Sequence, residues 1–106
     1  MNSDNSISAI KKFMDLCEAG DGREIDVFAE AYSGSTLLYQ DGAQIYCNYD
    51  YGYMQYSVSI YWKLNDDSMH ELGLHGKYNT NFQDFSFSND MLIIISGDIK
   101  ICLTKE

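Results

Sequence analysis

Residues 53–62 read YMQYSVSIYW, and this stretch decides the fold class. Its apolar and polar side chains alternate, which is the period of a β-strand with one buried face. The apolar row comprises Met54, Tyr56, Val58, Ile60 and Trp62, and the opposite row comprises Tyr53, Gln55, Ser57, Ser59 and Tyr61. We therefore expect one strand face in the core and the other in water or against a partner.

The sequence on the C-terminal side of this strand predicts further short strands separated by turns. The elements in chain order are a turn at Asn65–Ser68, a strand over Met69–His75, a loop over Gly76–Asn81 and a short strand over Phe82–Phe87. The apolar run Met91–Ile95 is typical of a central or doubly covered strand. Gly97-Asp98 predicts a type II′ hairpin turn into a last strand that carries Ile99, Ile101 and Leu103.

The sequence on the N-terminal side predicts a hairpin and a helix. Asp41-Gly42 is a strong signal for a two-residue hairpin turn, with strands over Thr36–Gln40 and Ala43–Tyr49. Asn5–Ala19 predicts an amphipathic helix, capped by Asn5 or Ser6 and ended by Gly20. The apolar stripe of that helix consists of Ile7, Ile10, Phe13, Met14, Leu16 and Cys17.

Residues 23–32 fit two structures. As a helix, Asp26, Glu30 and Ser33 share one polar stripe. As a strand, residues 25, 27, 29 and 31 form an apolar row that alternates with the carboxylates of Glu24, Asp26 and Glu30. The alanines and glutamates favour the helix, because both residue types have high helix propensity.

These elements predict an α+β fold in one domain over residues 1–106, with one or two N-terminal helices packed on an antiparallel sheet of about six strands. No apolar run is long enough to span a bilayer, and no secretory leader is evident. Cys17, Cys47 and Cys102 form no CxxC pair and are interpreted as small buried residues in a reducing cytoplasm.

The charge of the chain favours a basic partner. Sixteen acidic against seven basic residues give a net charge of −9, which opposes direct binding to nucleic acid and attracts basic surfaces. No lysine or arginine occurs between Glu24 and Trp62, where eight of the nine tyrosines fall. Tyrosines beside carboxylates suit arginine-rich partners, although tyrosine is also an ordinary strand residue. The residues predicted to bind a partner are Asp41, Tyr49, Asp50, Tyr51, Tyr53, Asp66, Asp67 and Glu71.

No sequence motif predicts catalysis, a cofactor or a metal site. The chain has no GxSxG, P-loop, HExxH or dinucleotide-binding fingerprint. His70 and His75 differ by an odd number of positions, so on one strand they would face opposite sides. Asp66, Asp67 and Glu71 beside them are interpreted as turn and edge residues rather than as metal ligands.

Three functional hypotheses follow. The first is a non-enzymatic binding protein that inhibits a basic, nucleic-acid-handling protein, as an anti-CRISPR protein of a phage or an immunity protein against a nuclease toxin would. The second is a ligand-binding or enzymatic domain, because two helices and a curved sheet would resemble the cone-shaped NTF2-like folds. Its pocket would lie near Tyr56, Trp62 and either His70 or His75. The third is a homodimer or larger homo-oligomer in which the tyrosine face pairs with itself.

Overall fold

One helix and seven strands make up the part of the chain that the structure, a computed structural model, describes: residues 3–18, 23–50, 57–65, 75–77 and 84–106. The elements are α1 (Ser3–Leu16), β1 (Glu24–Ser33), β2 (Thr36–Asp50), β3 (Ser57–Leu64), β4 (His75–Lys77), β5 (Asp84–Ser88), β6 (Met91–Ser96) and β7 (Ile99–Lys105). The strands form one sheet in the order β4-β3-β2-β1-β7-β6-β5, and every neighbouring pair is antiparallel. The predicted α+β class is confirmed.

The helix α1 confirms the N-terminal prediction but begins two residues earlier than expected, at Ser3. Asn5 and Ser6 therefore lie inside the helix and do not cap it. Ser6 is buried, and its Oγ accepts a hydrogen bond from the backbone N–H of Phe85 at 3.3 Å. At the C-terminal end Glu18 has a φ of +55°, so it takes the left-handed position expected for Gly20, which lies outside the described residues.

Residues 24–33 form the strand β1, and the helix favoured for this segment is wrong. Val27, Ala29 and Ala31 are fully buried, whereas Glu24 and Asp26 are exposed. The alternation of apolar and acidic residues matches the two faces of a sheet. Pairing with β2 on one side and β7 on the other outweighs the helix propensity of alanine and glutamate.

Asp41-Gly42 is not a turn, because β2 runs through it without interruption. The hairpin turn between β1 and β2 is Gly34-Ser35, with Gly34 at a φ of +60°. A glycine is needed at position 42 for close packing instead, because a Cβ there would lie 2.8 Å from Nδ2 of Asn65. Its carbonyl also accepts hydrogen bonds from the hydroxyl of Tyr39 and the N–H of Asn65.

The strands β5, β6 and β7 form a meander that confirms the C-terminal predictions in outline. The two-residue turn at Gly97-Asp98 is present, with Gly97 at a φ of +59°. Asn89 and Asp90 form a second tight turn, and positive φ at both positions is the pattern of a type I′ turn. Strand β6 is central, between β7 and β5, as predicted, and its outer face is partly exposed, with Ile95 at 38%.

The strand β3 covers the C-terminal part of residues 53–62, the stretch from which the fold class was predicted, and continues to Leu64. Trp62 is buried as predicted, and the alternation continues beyond the predicted stretch, with Lys63 exposed and Leu64 buried. Residues 51–56 and 66–74 lie outside the described part, including most of the predicted strand Met69–His75. Residues 76 and 77 belong to β4, so the loop predicted to start at Gly76 is wrong at its first two positions.

The sheet curls around α1, which contacts both β3 and β5. Four strands separate β3 from β5, a distance of about 24 Å in a flat sheet. A helix laid across a flat sheet would contact the strands between them just as closely, yet α1 lies mainly against β5, β6 and β3, so the sheet is curved. The inner, concave face holds the core with α1, and the outer face is convex. The buried core residues are Ala9, Ile10, Phe13, Met14, Val27, Ala29, Ala31, Tyr39, Ala43, Ile45, Trp62, Leu64, Phe85, Leu92, Ile94, Ile101 and Leu103.

The hydrogen bond between Ser6 and Phe85 ties α1 to β5 and gives a testable prediction. Ser6→Ala removes the acceptor of a buried N–H, so we expect a loss of about 1–3 kcal/mol in the free energy of unfolding. Urea denaturation measures this loss. Ser8→Ala is the matched control on the same helix, because Ser8 is exposed. Equal effects of the two substitutions would contradict the assigned role of Ser6.

Candidate functional site

The structure tests only part of the predicted binding set. Asp41 is exposed in the middle of β2, and its Oδ1 accepts a hydrogen bond from the N–H of Gly42 at 2.8 Å. Tyr49 and Asp50 are the last residues of β2, and their side chains lie outside the described part. The remaining members, Tyr51, Tyr53, Asp66, Asp67 and Glu71, lie outside the described residues.

The described part brings together a different set of carboxylates, Glu24, Asp26 and Glu30, which we call the acidic row. All three lie on the outer face of β1, because Ile25, Val27 and Ala29, which alternate with them, point into the core; Phe28 shares the outer face between Asp26 and Glu30. With a rise of about 3.4 Å per residue, the row extends over about 20 Å. These residues are absent from the predicted binding set, although the alternation of residues 24–31 is the signal that places them on one face of a strand.

None of the cross-strand partners of the acidic row in the described sheet is basic. These partners are Tyr46, Gln44 and Gln40 on β2 and Cys102 on β7. Two lysines on the same face, Lys63 and Lys100, are paired with Gln44 and Tyr32 instead. The acidic row therefore keeps a negative potential on the outer face that its direct partners do not neutralise.

Two hydrogen bonds hold the acidic row in place. The amide Nε2 of Gln44 donates to Oδ1 of Asp26 at 3.3 Å, and the hydroxyl of Tyr32 donates to Oε2 of Glu30 at 2.7 Å. The bond to Glu30 is the main cause that raises the pKa of Tyr32, with desolvation and the negative charge of Glu30 adding to it. Tyr32 therefore stays a neutral hydrogen-bond donor to Glu30, and this bond fixes the direction of the Glu30 carboxylate on the sheet.

The pKa of Tyr32 gives a second testable prediction. It should lie above the ordinary tyrosine value of 10.0, and Glu30→Gln should lower it, because an amide carries no charge. Because the pKa of Tyr32 is raised in the folded state, its interaction with Glu30 stabilises the fold below pH 10.0. This stabilisation is lost as the pH rises through the folded-state pKa of Tyr32. Titration of the tyrosine Cζ resonances by NMR, with Tyr32→Phe for assignment, measures this. An unchanged pKa in Glu30→Gln would contradict the assigned bond.

Apolar side chains share the outer face with the acidic row. The register continues from Glu30 through Cys102 to Ile93, and from Tyr32 through Lys100 to Ile95. Ile93 is half-buried and Ile95 is 38% exposed. Leu37, opposite Tyr32 on β2, is 47% exposed. Acidic and apolar groups thus lie side by side on a convex surface.

The described cysteines do not have the chemistry of reactive thiols. Cys17 and Cys102 are free and half-buried rather than fully buried as predicted. Burial raises the pKa of both thiols, and nearby lysines only partly oppose it. Thiolate is the nucleophilic form, so a raised pKa disfavours reactivity. Among the described residues, no group of three or more His, Cys, Asp or Glu side chains could hold a metal ion.

The structure describes the surroundings of only one of the residues that the second hypothesis places near a pocket, Trp62. Trp62 is buried in the core, and its Nε1 donates to none of the described residues. Tyr56 and His70 lie outside the described part, as does the side chain of His75. An open groove of about 270 Å³ lies elsewhere, between α1 and the edge strand β5, and is lined by Ser8, Ala9, Lys12, Phe85, Ser86 and Phe87. The described residues also provide one helix rather than the two that this hypothesis required.

None of the described helices is long and apolar enough to cross a membrane. Comparison with protein-family models, curated proteins and solved structures finds no match to this chain.

Proposed function

We propose that the chain is a non-enzymatic binding protein that inhibits a basic, nucleic-acid-handling partner protein, and that the acidic row is the centre of its interface. The supporting observation is that Glu24, Asp26 and Glu30 share the outer face of β1 and have no basic cross-strand partner among the described residues. Such a row attracts arginine and lysine side chains and accelerates encounter with a basic surface. The net charge of −9 acts in the same direction.

Inhibition by this route requires no chemistry from the chain. A basic cleft that binds phosphates presents arginines and lysines, and carboxylates can occupy the same groups. The convex outer face has the shape to enter a cleft, and Tyr32 beside Glu30 adds an aromatic surface that suits arginine. We place the protein in the cytoplasm, acting on either a bacterial defence nuclease as an anti-CRISPR protein or a nuclease toxin as its immunity protein. It binds neither nucleic acid nor membranes directly.

The test is affinity capture from a lysate of the organism in which the chain acts, at low and at high salt. The bait is the wild-type chain, and mass spectrometry identifies the retained proteins. We expect a basic nuclease or another nucleic-acid-binding protein to be retained at low salt and released at high salt, because salt screens exposed charges. Retention of no protein at either salt concentration would contradict the proposal.

Two variants with equal net charge make the capture specific. The row variant combines Glu24→Gln, Asp26→Asn and Glu30→Gln, and each amide keeps an oxygen that can accept the bonds from Gln44 and Tyr32. The control variant neutralises three exposed acids outside β1, namely Asp15, Glu18 and Glu106. The row variant should lose the partner and the control variant should keep it. An equal loss of the partner in both variants would show that net charge alone is responsible, and retention by both would contradict the acidic row as the interface.

A further inference from the structure

We propose that the groove between α1 and β5 is a second binding site, which takes an extended peptide segment of a partner with an apolar and an acidic side chain on the same face. The peptide adds a strand to the outer edge of β5. In the described sheet β5 is the last strand and pairs only with β6. The site is independent of the acidic row, because β7 and β6 separate β5 from β1.

The backbone of Phe87 points to this edge. In an antiparallel pair, alternate residues exchange both backbone hydrogen bonds with the partner strand, and the residues between them direct theirs to the other side. The two-residue turn after β5 makes the residues that flank it, Ser88 and Met91, a hydrogen-bonded pair. The N–H and C=O of Phe87 therefore point away from β6. Phe85 has the same orientation, and its N–H accordingly donates to Ser6 on α1.

The groove runs along the same edge. Residues of α1, including Ala9 and Lys12, line one side of its volume of about 270 Å³, and Phe85, Ser86 and Phe87 line the other. The two phenylalanines lie on the inner face of β5 and Ser86 lies on the outer face. A groove that all three line must pass the backbone edge between the two faces. An occupant of the groove therefore meets the N–H and C=O of Phe87.

These two backbone groups select an extended occupant. Phe87 offers one donor and one acceptor side by side, and a residue of an extended peptide presents the matching acceptor and donor. A helix cannot do so, because its interior N–H and C=O groups are bonded within the helix. The added strand pairs at Phe87 and not at Phe85, because the buried Ser6 already accepts the N–H of Phe85.

The side chains of the groove indicate the chemistry of the peptide. Ala9, Phe85 and Phe87 are apolar, so an apolar side chain suits them. Lys12 is exposed, and among the described residues no carboxylate forms an ion pair with it, so it suits an acidic side chain. Both groups belong on the side of the peptide that faces α1. Residues two positions apart in a strand share a face, so we expect that spacing between them.

Two peptides with capped ends test the inference. Each has about eight residues, an ordinary strand length, with threonine at every second position. The alternate positions carry valine and one central glutamate in the first peptide, and valine and one central lysine in the second. Titration followed by ¹⁵N NMR measures binding. We expect the glutamate peptide to bind in the millimolar range and to perturb the amides of β5 and α1. The lysine peptide should bind at least about fivefold more weakly, the scale of one ion pair.

Three controls make the test decisive. A glutamate peptide with methylated backbone nitrogens should not bind, because it has no N–H to donate to Phe87. Lys12→Glu should reverse the preference between the two peptides. Lys63→Glu is the matched control, since it makes the same change in net charge at an exposed lysine on β3, and it should keep the wild-type preference.

Three results would overturn the inference: no perturbation of β5, equal binding of the methylated peptide, or an unchanged preference in Lys12→Glu. None of them bears on the proposed function, because an acidic peptide does not probe the acidic row. The affinity capture with the row variant tests that function separately.

Discussion

Phe13→Ala is expected to lower the free energy of unfolding by about 3–5 kcal/mol, which is a large fraction of the total stability of a small domain. Phe13 is fully buried on α1, the one helix among the described residues, and it belongs to the core cluster of the curled sheet. Truncation to alanine removes the ring from the concave face and leaves a cavity there. Urea denaturation followed by circular dichroism measures the loss.

Lys12→Ala provides the control for this substitution. Lys12 is the preceding residue of the same helix and is exposed, so its replacement should change the stability by less than about 0.5 kcal/mol. A Phe13→Ala variant that is within about 1 kcal/mol of wild type would show that α1 does not fill the concave face.

The row variant is expected to require about a hundredfold higher concentration for half-maximal inhibition of the partner. Each carboxylate that pairs with a cation at an interface contributes on the order of 1 kcal/mol, so three together correspond to about two orders of magnitude. The activity assay of the captured partner on its nucleic acid measures this shift. The substitutions are isosteric and lie on the outer face, so the stability should be nearly unchanged.

The control variant separates position from charge in the same assay. It carries the same net charge as the row variant, but its substitutions at Asp15, Glu18 and Glu106 lie outside β1. We expect inhibition within about threefold of wild type, because charges away from an interface act mainly through the screened long-range field. A hundredfold loss in the control variant as well would rule out the acidic row as the interface.

The α+β class was predictable because two of its signals are local. The alternation that ends at Trp62 and the helical spacing of Ile10, Phe13 and Met14 each follow from the period of one element. Trp62 and the three helix residues are buried where the sequence placed them. The curl of the sheet was not predictable, because it depends on which strands one helix touches.

The segment over residues 24–33 shows where local propensity fails. Its alanines and glutamates favour a helix, yet the strand buries Val27, Ala29 and Ala31 completely. The deciding contacts are pairings with β2 and with β7, the last strand of the chain. Pairing between the first and last strands is non-local, so no window of sequence contains it.

The turn prediction at Asp41-Gly42 failed for a related reason. Asp-Gly is typical of a tight turn, but a glycine also serves where two segments approach closely. Here the side chain of Asn65 occupies the space that a Cβ of Gly42 would need. The true turn, Gly34-Ser35, lacks the Asp-Gly signal and uses Gly34 at positive φ.

The candidate site was predictable in its chemistry but not in its position. The excess of carboxylates between Glu24 and Trp62 is visible in the sequence, and it indicated a basic partner. Assigning Glu24, Asp26 and Glu30 to one face required β1 to be a strand. Ile93 and Ile95 come next to them on the outer face only through β7, so the combined surface depends on the strand order.

The association rate constant with the captured partner, measured by stopped-flow fluorescence at low and high salt, tests the central claim most directly. An interface centred on the acidic row predicts that the rate falls at least about tenfold as salt rises from about 50 to about 500 mM, because steering between opposite charges is screened. The row variant should show a much flatter dependence than wild type. A wild-type association rate that does not change with salt would contradict the account.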